Sequence, residues 1–324
     1  MPFSKHLFPD LPHSHTPKPI VPCPDGVYTA CLTPLHADLS IDVDTWARHI
    51  RRLLNGGCTG VLLFGSTGEA NSFSVAERQA GLEAVLDAGI PADRLMVGAG
   101  CAALPDTVAL ARHALDRGVP NVLVMPAFYY QGITNDGAFA QLEQVVQRVD
   151  DARLSVYLYH FPTMSGVPYT HELITRLCDA FPHTIAGVKD SSSDWTHMRG
   201  LRATFPDLQI FAGNEAYLLD MLEAGGAGCI SATANVTHPL AGAIFARHGA
   251  DDLRDEQARL TTLRHALTAH PVIPALKQVM AWRTGHDGWL HLRPPLSPLA
   301  PHARHALESA LAKLPFPEAT AASS

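Results

Sequence analysis

From Asp25 onward the chain alternates between short apolar, β-branched runs and longer stretches whose apolar residues recur every three or four positions. The first pattern suits a strand buried on both faces, the second a helix packed by one stripe. Read in order, it predicts strands over residues 26–33, 60–64, 95–98, 121–125, 155–160, 185–189, 209–213 and 228–231. Between them it predicts helices over 42–54, 74–88, 106–117, 136–149, 170–181, 195–205 and 215–224. Stop signals follow several of these, such as Asn55-Gly56-Gly57, Gly89-Ile90-Pro91 and Gly225-Gly226. Ser74-Val75-Ala76-Glu77 has the spacing of a capping box.

Alternating strands and helices imply a parallel sheet with helical crossovers, and eight such units predict a (β/α)8 TIM barrel over residues 25–238. The competing architecture is a doubly wound open sheet, but no GxGxxG opens the first helix. Residues 239–324 go on as helical segments punctuated by Pro271, Pro274 and Pro294-Pro295, a C-terminal helical extension beyond the barrel. Residues 1–24 hold seven prolines and no period, and are expected to form an N-terminal extension.

Composition narrows the function classes. Charged residues make up 17% of the 324, and the net charge is −7 with no basic run, which excludes nucleic acid or an anionic membrane as the main partner. Six cysteines without CxxC spacing read as reduced thiols, and no apolar run reaches transmembrane length, so a cytoplasmic protein is expected.

The chain has five lysines, and of these Lys189 ends a strand and precedes Asp190-Ser191-Ser192-Ser193. A buried ammonium is costly, so such a lysine either snorkels to solvent or has a task, and attack on a carbonyl is one. Strand parity puts Ser155, Tyr157 and Tyr159 on one face, with Val156 and Leu158 on the other. Applied to the next strand, parity groups Ile185, Gly187 and Lys189 against Ala186 and Val188. If the apolar pairs meet the helices, Tyr159 and Lys189 both point inward from strands ~4.8 Å apart. Such a pair suits imine chemistry with a proton-passing phenol. After the second strand, Gly65-Ser66-Thr67-Gly68-Glu69 makes a tight turn whose N–H groups suit a carboxylate, and it is not a Walker loop. In barrels of this kind all three segments fall at the strands' C-terminal ends.

Together these motifs, with Tyr159-His160-Phe161-Pro162, Gly187-Val188-Lys189 and the run from Gly225 to Asn235, resemble the dihydrodipicolinate synthase/N-acetylneuraminate lyase family of class I aldolases. The resemblance implies a Lys189 Schiff base with a 2-oxo acid, no metal and no cofactor beyond that imine, and a homotetramer. It implies Tyr159 as acid/base, Ser66 and Thr67 holding the carboxylate, Ser66 in a proton relay, and Tyr130 offered across a subunit interface. It also sets Gly213 and Ile230 against the substrate. Ser191 and Glu215 are expected to read an acceptor hydroxyl.

Two departures stand out. The synthases' arginine five positions after the motif tyrosine is Met164 here, which removes a bidentate anion site, and their asparagine is His160. The expected activity is therefore a pyruvate-releasing or pyruvate-condensing lyase. 4-Hydroxy-tetrahydrodipicolinate synthase and a dehydratase of 2-keto-3-deoxy sugar acids are the enzymic alternatives. A 2-oxo acid binding or regulatory paralogue is the non-enzymic one. Phe128, Phe161 and Met164 would make one wall apolar, which also admits a less hydroxylated or aromatic acceptor.

Overall fold

The computed structural model describes residues 22–314, so most of the expected N-terminal extension and the last ten residues lie outside the described part. Eight parallel strands close into a barrel in sequence order. They are β1 (Gly26–Ala30), β2 (Gly60–Leu63), β3 (Leu95–Gly98), β4 (Asn121–Val124), β5 (Ser155–His160), β6 (Ile185–Asp190), β7 (Gln209–Ala212) and β8 (Gly228–Ser231). The crossovers carry α1 (Val43–Asn55), α2 (Val75–Asp87), α3 (Leu104–Asp116), α4 (Asn135–Val149), a single turn α5 (Pro162–Ser165), α6 (His171–Ala180), α7 (Trp195–Thr204) and α8 (Leu218–Glu223). The chain is a TIM barrel with appended helices, as its pattern predicts. The boundary expected at residue 238 falls inside α9 (Ala234–Ala246), the helix of the eighth unit. Beyond it come α10 (Leu253–Thr268), α11 (Val272–Thr284) and α12 (Pro301–Leu311).

Local chemistry fixes several boundaries. Asp42 caps α1 by accepting from Thr45 N at 3.0 Å. The capping box is complete: Ser74 Oγ accepts from Glu77 N while the Glu77 carboxylate accepts from Ser74 N. Alternation sorts the strand residues into two cores. Val27, Val61, Val122, Val156, Leu158, Val188 and Ile210 pack outward against the helices. Tyr28, Leu62, Met96, Leu123, Tyr157, Phe211 and Ile230 fill the barrel.

Parity fails at one place. Val156 pairs with Ile185, but Tyr157 pairs with Gly187, so Ala186 is an extra residue in the ladder. Ala186 thereby joins the interior and Ile185 the helix side, the reverse of strict alternation, while Gly187 and Lys189 keep the inward face. The floor of the barrel is aromatic: Tyr28 and Phe211 meet edge to face, and Tyr157 donates to Gln209 Oε1 while accepting from Cys23 N. Burial pushes both phenols above their ordinary range, so they stay neutral structural groups.

A third cluster joins the appended helices to the barrel. It unites Leu32 and Val236 with Leu267, Leu276, Trp289 and Leu307.

Candidate active site

Lys189 and Tyr159 are register partners across the β5–β6 ladder. Lys189 is 3% exposed, and its Nζ lies 4.1 Å from the centroid of the Tyr159 ring. Among the described residues Nζ has no hydrogen bond or ion pair, so the ring face is its electrostatic partner. The amine thus meets the phenol's face rather than its hydroxyl, which also has no hydrogen-bond partner among the described residues.

The turn after β2 is held from several sides. Gly68 N donates to Gly65 O, Glu69 N to Ser66 O, and Thr33 Oγ1 to Gly68 O at 2.9 Å. Among the described residues the N–H groups and hydroxyls of Ser66 and Thr67 have no partner. Two adjacent N–H donors beside two hydroxyls are what a carboxylate needs. Glu69 takes a left-handed φ of 59° and points away, forming a fully buried ion pair with Lys277 of α11. Lys277 also donates to His291 O, and Arg293 N donates to the Glu69 carboxylate.

The remaining predicted positions divide. Ile230 is buried in the interior beside Tyr28. Ser191 continues from β6, donating its N–H to His160 O. Gly213 donates to Asp190 O at 2.6 Å, and a Cβ there would lie 2.1 Å from Ser191 Oγ, so only glycine fits. Tyr130 is 69% exposed at the β4 loop tip, its ring against Tyr129.

Glu215 lies within the fold's own hydrogen-bond network. Its carboxylate is fully buried and accepts hydrogen bonds from Ser231, Thr233 and Thr237, with Arg264 Nη1 3.7 Å away. It knits β8 to α9 and α10, and most of its acceptor capacity is engaged there.

Three residues with no role assigned from sequence lie directly behind the reactive pair. His160 and Asp190, the neighbours of Tyr159 and Lys189, are also register partners, and alternation sends them to the opposite side of the wall. His197 of α7 meets Asp190 at 2.7 Å and stacks on His160 with centroids 4.4 Å apart. The Asp190 hydrogen bond raises the His197 pKa above its usual value. Burial pushes the Asp190 carboxyl up, but bonds from His197 and Ser192 outweigh it and hold it below the usual range. Burial lowers the His160 pKa. These three carry the donor atoms of a metal site, within 4.8 Å of one another. Their atoms are engaged otherwise: His160 Nδ1 accepts from Tyr169 N and Asp190 Oδ1 from Ser192 N. A sequence signal existed in His160, one residue past the motif tyrosine, but its two partners come from other elements.

The dihydrodipicolinate synthetase family model matches residues 23–314. A DapA-like lyase of Chloroflexus aurantiacus, described as uncharacterized, is 38% identical over 90% of this chain and 97% of its own. A 4-hydroxy-tetrahydrodipicolinate synthase of Salinibacter ruber is 30% identical over 85% of this chain and 90% of its own. The crystal structure of dihydrodipicolinate synthase from Agrobacterium tumefaciens superposes with a TM-score of 0.83 at 34% identity, covering 89% of this chain and 99% of that one. Among the described residues no helix is long and apolar enough to cross a membrane.

Proposed function

Because the chain belongs to the dihydrodipicolinate synthetase family and has the fold of its lyases and aldolases, we propose that it cleaves, or reversibly forms, a C–C bond in a 2-oxo acid through an imine on Lys189. The observation that carries this is the buried Lys189 amine over the Tyr159 ring, without a charged partner among the described residues.

Nζ adds to C2 of the oxo acid and water leaves, giving an iminium that acts as an electron sink. The Tyr159 hydroxyl relays the proton from the C4 hydroxyl as the C3–C4 bond breaks. Its electron pair moves into the iminium, an enamine forms and an aldehyde departs. Protonation of C3 and addition of water then release pyruvate and free the amine. The unpaired N–H groups of Ser66 and Thr67 suit the substrate carboxylate, which fixes C2 against Nζ. The Ser66 hydroxyl belongs to the same proton path. No protein-bound group beyond this imine enters the reaction.

Aspartate semialdehyde condensation is disfavoured, since Met164 offers no charge to a second carboxylate. The exposed Tyr129-Tyr130 tip suits a contact between copies, and we infer assembly toward a homotetramer.

The test is borohydride reduction in the presence of pyruvate, followed by mass measurement of the intact protein. One added pyruvate-derived mass on Lys189, absent in Lys189→Ala, is expected. An unmodified wild-type chain would end the proposal.

A further inference from the structure

A cavity of about 1010 Å3 opens at the end of the barrel where the strands begin, opposite the end that carries Lys189. The segments leading into β1, β2, β3, β4 and β5 line it, together with the end of α9. Its walls are mainly apolar, with Leu54, Leu115, Pro120 and Phe245 among them. Two polar groups on the lining stand unmatched. Asn121, at the start of β4, is 4% exposed, yet its Oδ1 has no hydrogen-bond partner among the described residues. The Asp93 carboxylate has neither a hydrogen bond nor an ion pair among the described residues. Both lining guanidiniums are engaged: Arg94 donates to Thr59 O and Cys58 O, and Arg153 pairs with Asp151. The charge left over on this lining is therefore negative.

The chain itself points to an occupant. Pro22, where the described residues begin, forms part of the wall. The residues after it are fastened to the barrel floor. Cys23 N donates to the Tyr157 hydroxyl, and Gln209 Nε2 donates to Cys23 O and to Asp25 Oδ1. This anchor delivers the preceding 21 residues to the edge of the cavity. The family match starts at residue 23, so the segment is additional to the shared fold.

Its composition fits the space. Phe3, Leu7, Phe8, Leu11, Ile20 and Val21 suit apolar walls, while Lys5 and Lys18 against the single Asp10 suit Asp93. Five of the 21 residues are proline, which removes N–H donors that an apolar wall could not satisfy and lowers the entropy lost on docking. At ~3.1 Å per residue, roughly 34 Å of chain separates Leu11 from Pro22, ample to cross a cavity of that volume. We propose that this cavity is the docking seat of the chain's own residues 1–21. Apolar side chains cover Leu54, Leu115 and Phe245, a lysine meets Asp93, and a donor reaches Asn121. The lower end of the barrel is thereby closed, and nothing in this depends on the Lys189 imine.

The experiment is brief chymotrypsin digestion of the full chain, read by intact mass at the Phe3–Ser4 and Leu7–Phe8 bonds. Cleavage there should run at least about tenfold slower than in a synthetic peptide of residues 1–21, because proteolysis follows the undocked fraction. Ala152→Trp and Ala246→Trp each put a large ring into the cavity from an exposed position, and should bring cleavage to the peptide's rate. Carbodiimide coupling of the wild-type chain should join Lys5 or Lys18 to Asp93, which locates the segment even where a tryptophan variant fails to fold. Equal rates in the chain and the peptide overturn the inference, as does protection that survives both tryptophans in folded protein. Protection lost on dilution would place the segment in a second copy and overturns it too. Indole, an apolar ring with one N–H, probes the remaining occupant. If it raises the thermal midpoint of the wild type, but not of the tryptophan variants, without speeding cleavage, the cavity is a small-molecule site and the inference fails.

Discussion

At the scale of single residues, the site is two layers of register partners. Tyr159 and Lys189 face the barrel interior, while His160 and Asp190 face the helices and lock onto His197. The rear layer is a titrating one. His197 has a raised pKa in the folded chain, so its contribution to stability is full below its unfolded value of about 6.5 and is lost as pH rises through the higher folded value. Asp190 is lowered, so its contribution is present above about 3.9 and is lost as pH falls through the lower folded value. The pair therefore stabilises most between about pH 4 and 6.5. His197→Gln is expected to cost about 1 kcal/mol at pH 5.5 and less at pH 9, read from urea midpoints at both. An equal loss at the two pH values would show that the imidazolium is not what matters. His160 and His171 face the same imidazole and help set where the change falls.

Sequence made the front layer legible because alternation and the lysine's isolation are local properties. It left the rear layer unread, because a histidine seven positions past an aspartate acquires its meaning only when α7 folds back. Glu215 shows the opposite limit. A carboxylate after β7 suits a substrate hydroxyl as well as it suits Ser231, Thr233 and Thr237, and only packing separates the two.

Between elements, the informative link is α11 to the turn after β2. Lys277 lies in α11, Val272–Thr284, and is buried there. Its partner Glu69 belongs to another motif altogether, and both side chains are fully buried. Lys277→Met would leave the Glu69 carboxylate buried and unpaired, a loss of about 3–5 kcal/mol. The same change should raise KM for the 2-oxo acid more than it lowers kcat, because Ser66 and Thr67 lose their anchor. Adding Glu69→Gln should restore part of the stability. Denaturant titration of the single and double variants checks this, and a double variant no more stable than the single would exclude a stranded charge as the cause. The β5–β6 bulge belongs to this scale too. One extra residue reversed the faces of Ile185 and Ala186 and left Lys189 where alternation had put it.

Across the whole molecule, the barrel and its appended helices share a core. Leu32, just after β1, packs in one cluster with Leu276, Trp289 and Leu307. A chain ended after Arg247 would expose that apolar surface, and we expect it to show no cooperative thermal transition by circular dichroism. A sharp transition near the full-length midpoint would mean the barrel stands alone. The eight repeated units were readable from pattern because each carries its own strand, helix and stop. The dependence on the appended helices was not, since their apolar residues look alike whether they face the barrel or one another.

The buried Lys277–Glu69 pair also sets an order in time. Synthesis runs from the N-terminus, and Arg293, which also ties down Glu69, lies 224 positions beyond it. A nascent chain carries Lys189 and the Gly65–Glu69 segment before either Lys277 or the Arg293 N–H that holds Glu69 has been made. The proposed carboxylate grip is therefore completed well after the amine has been made, so a half-made barrel would carry Lys189 with little means of holding a 2-oxo acid against it.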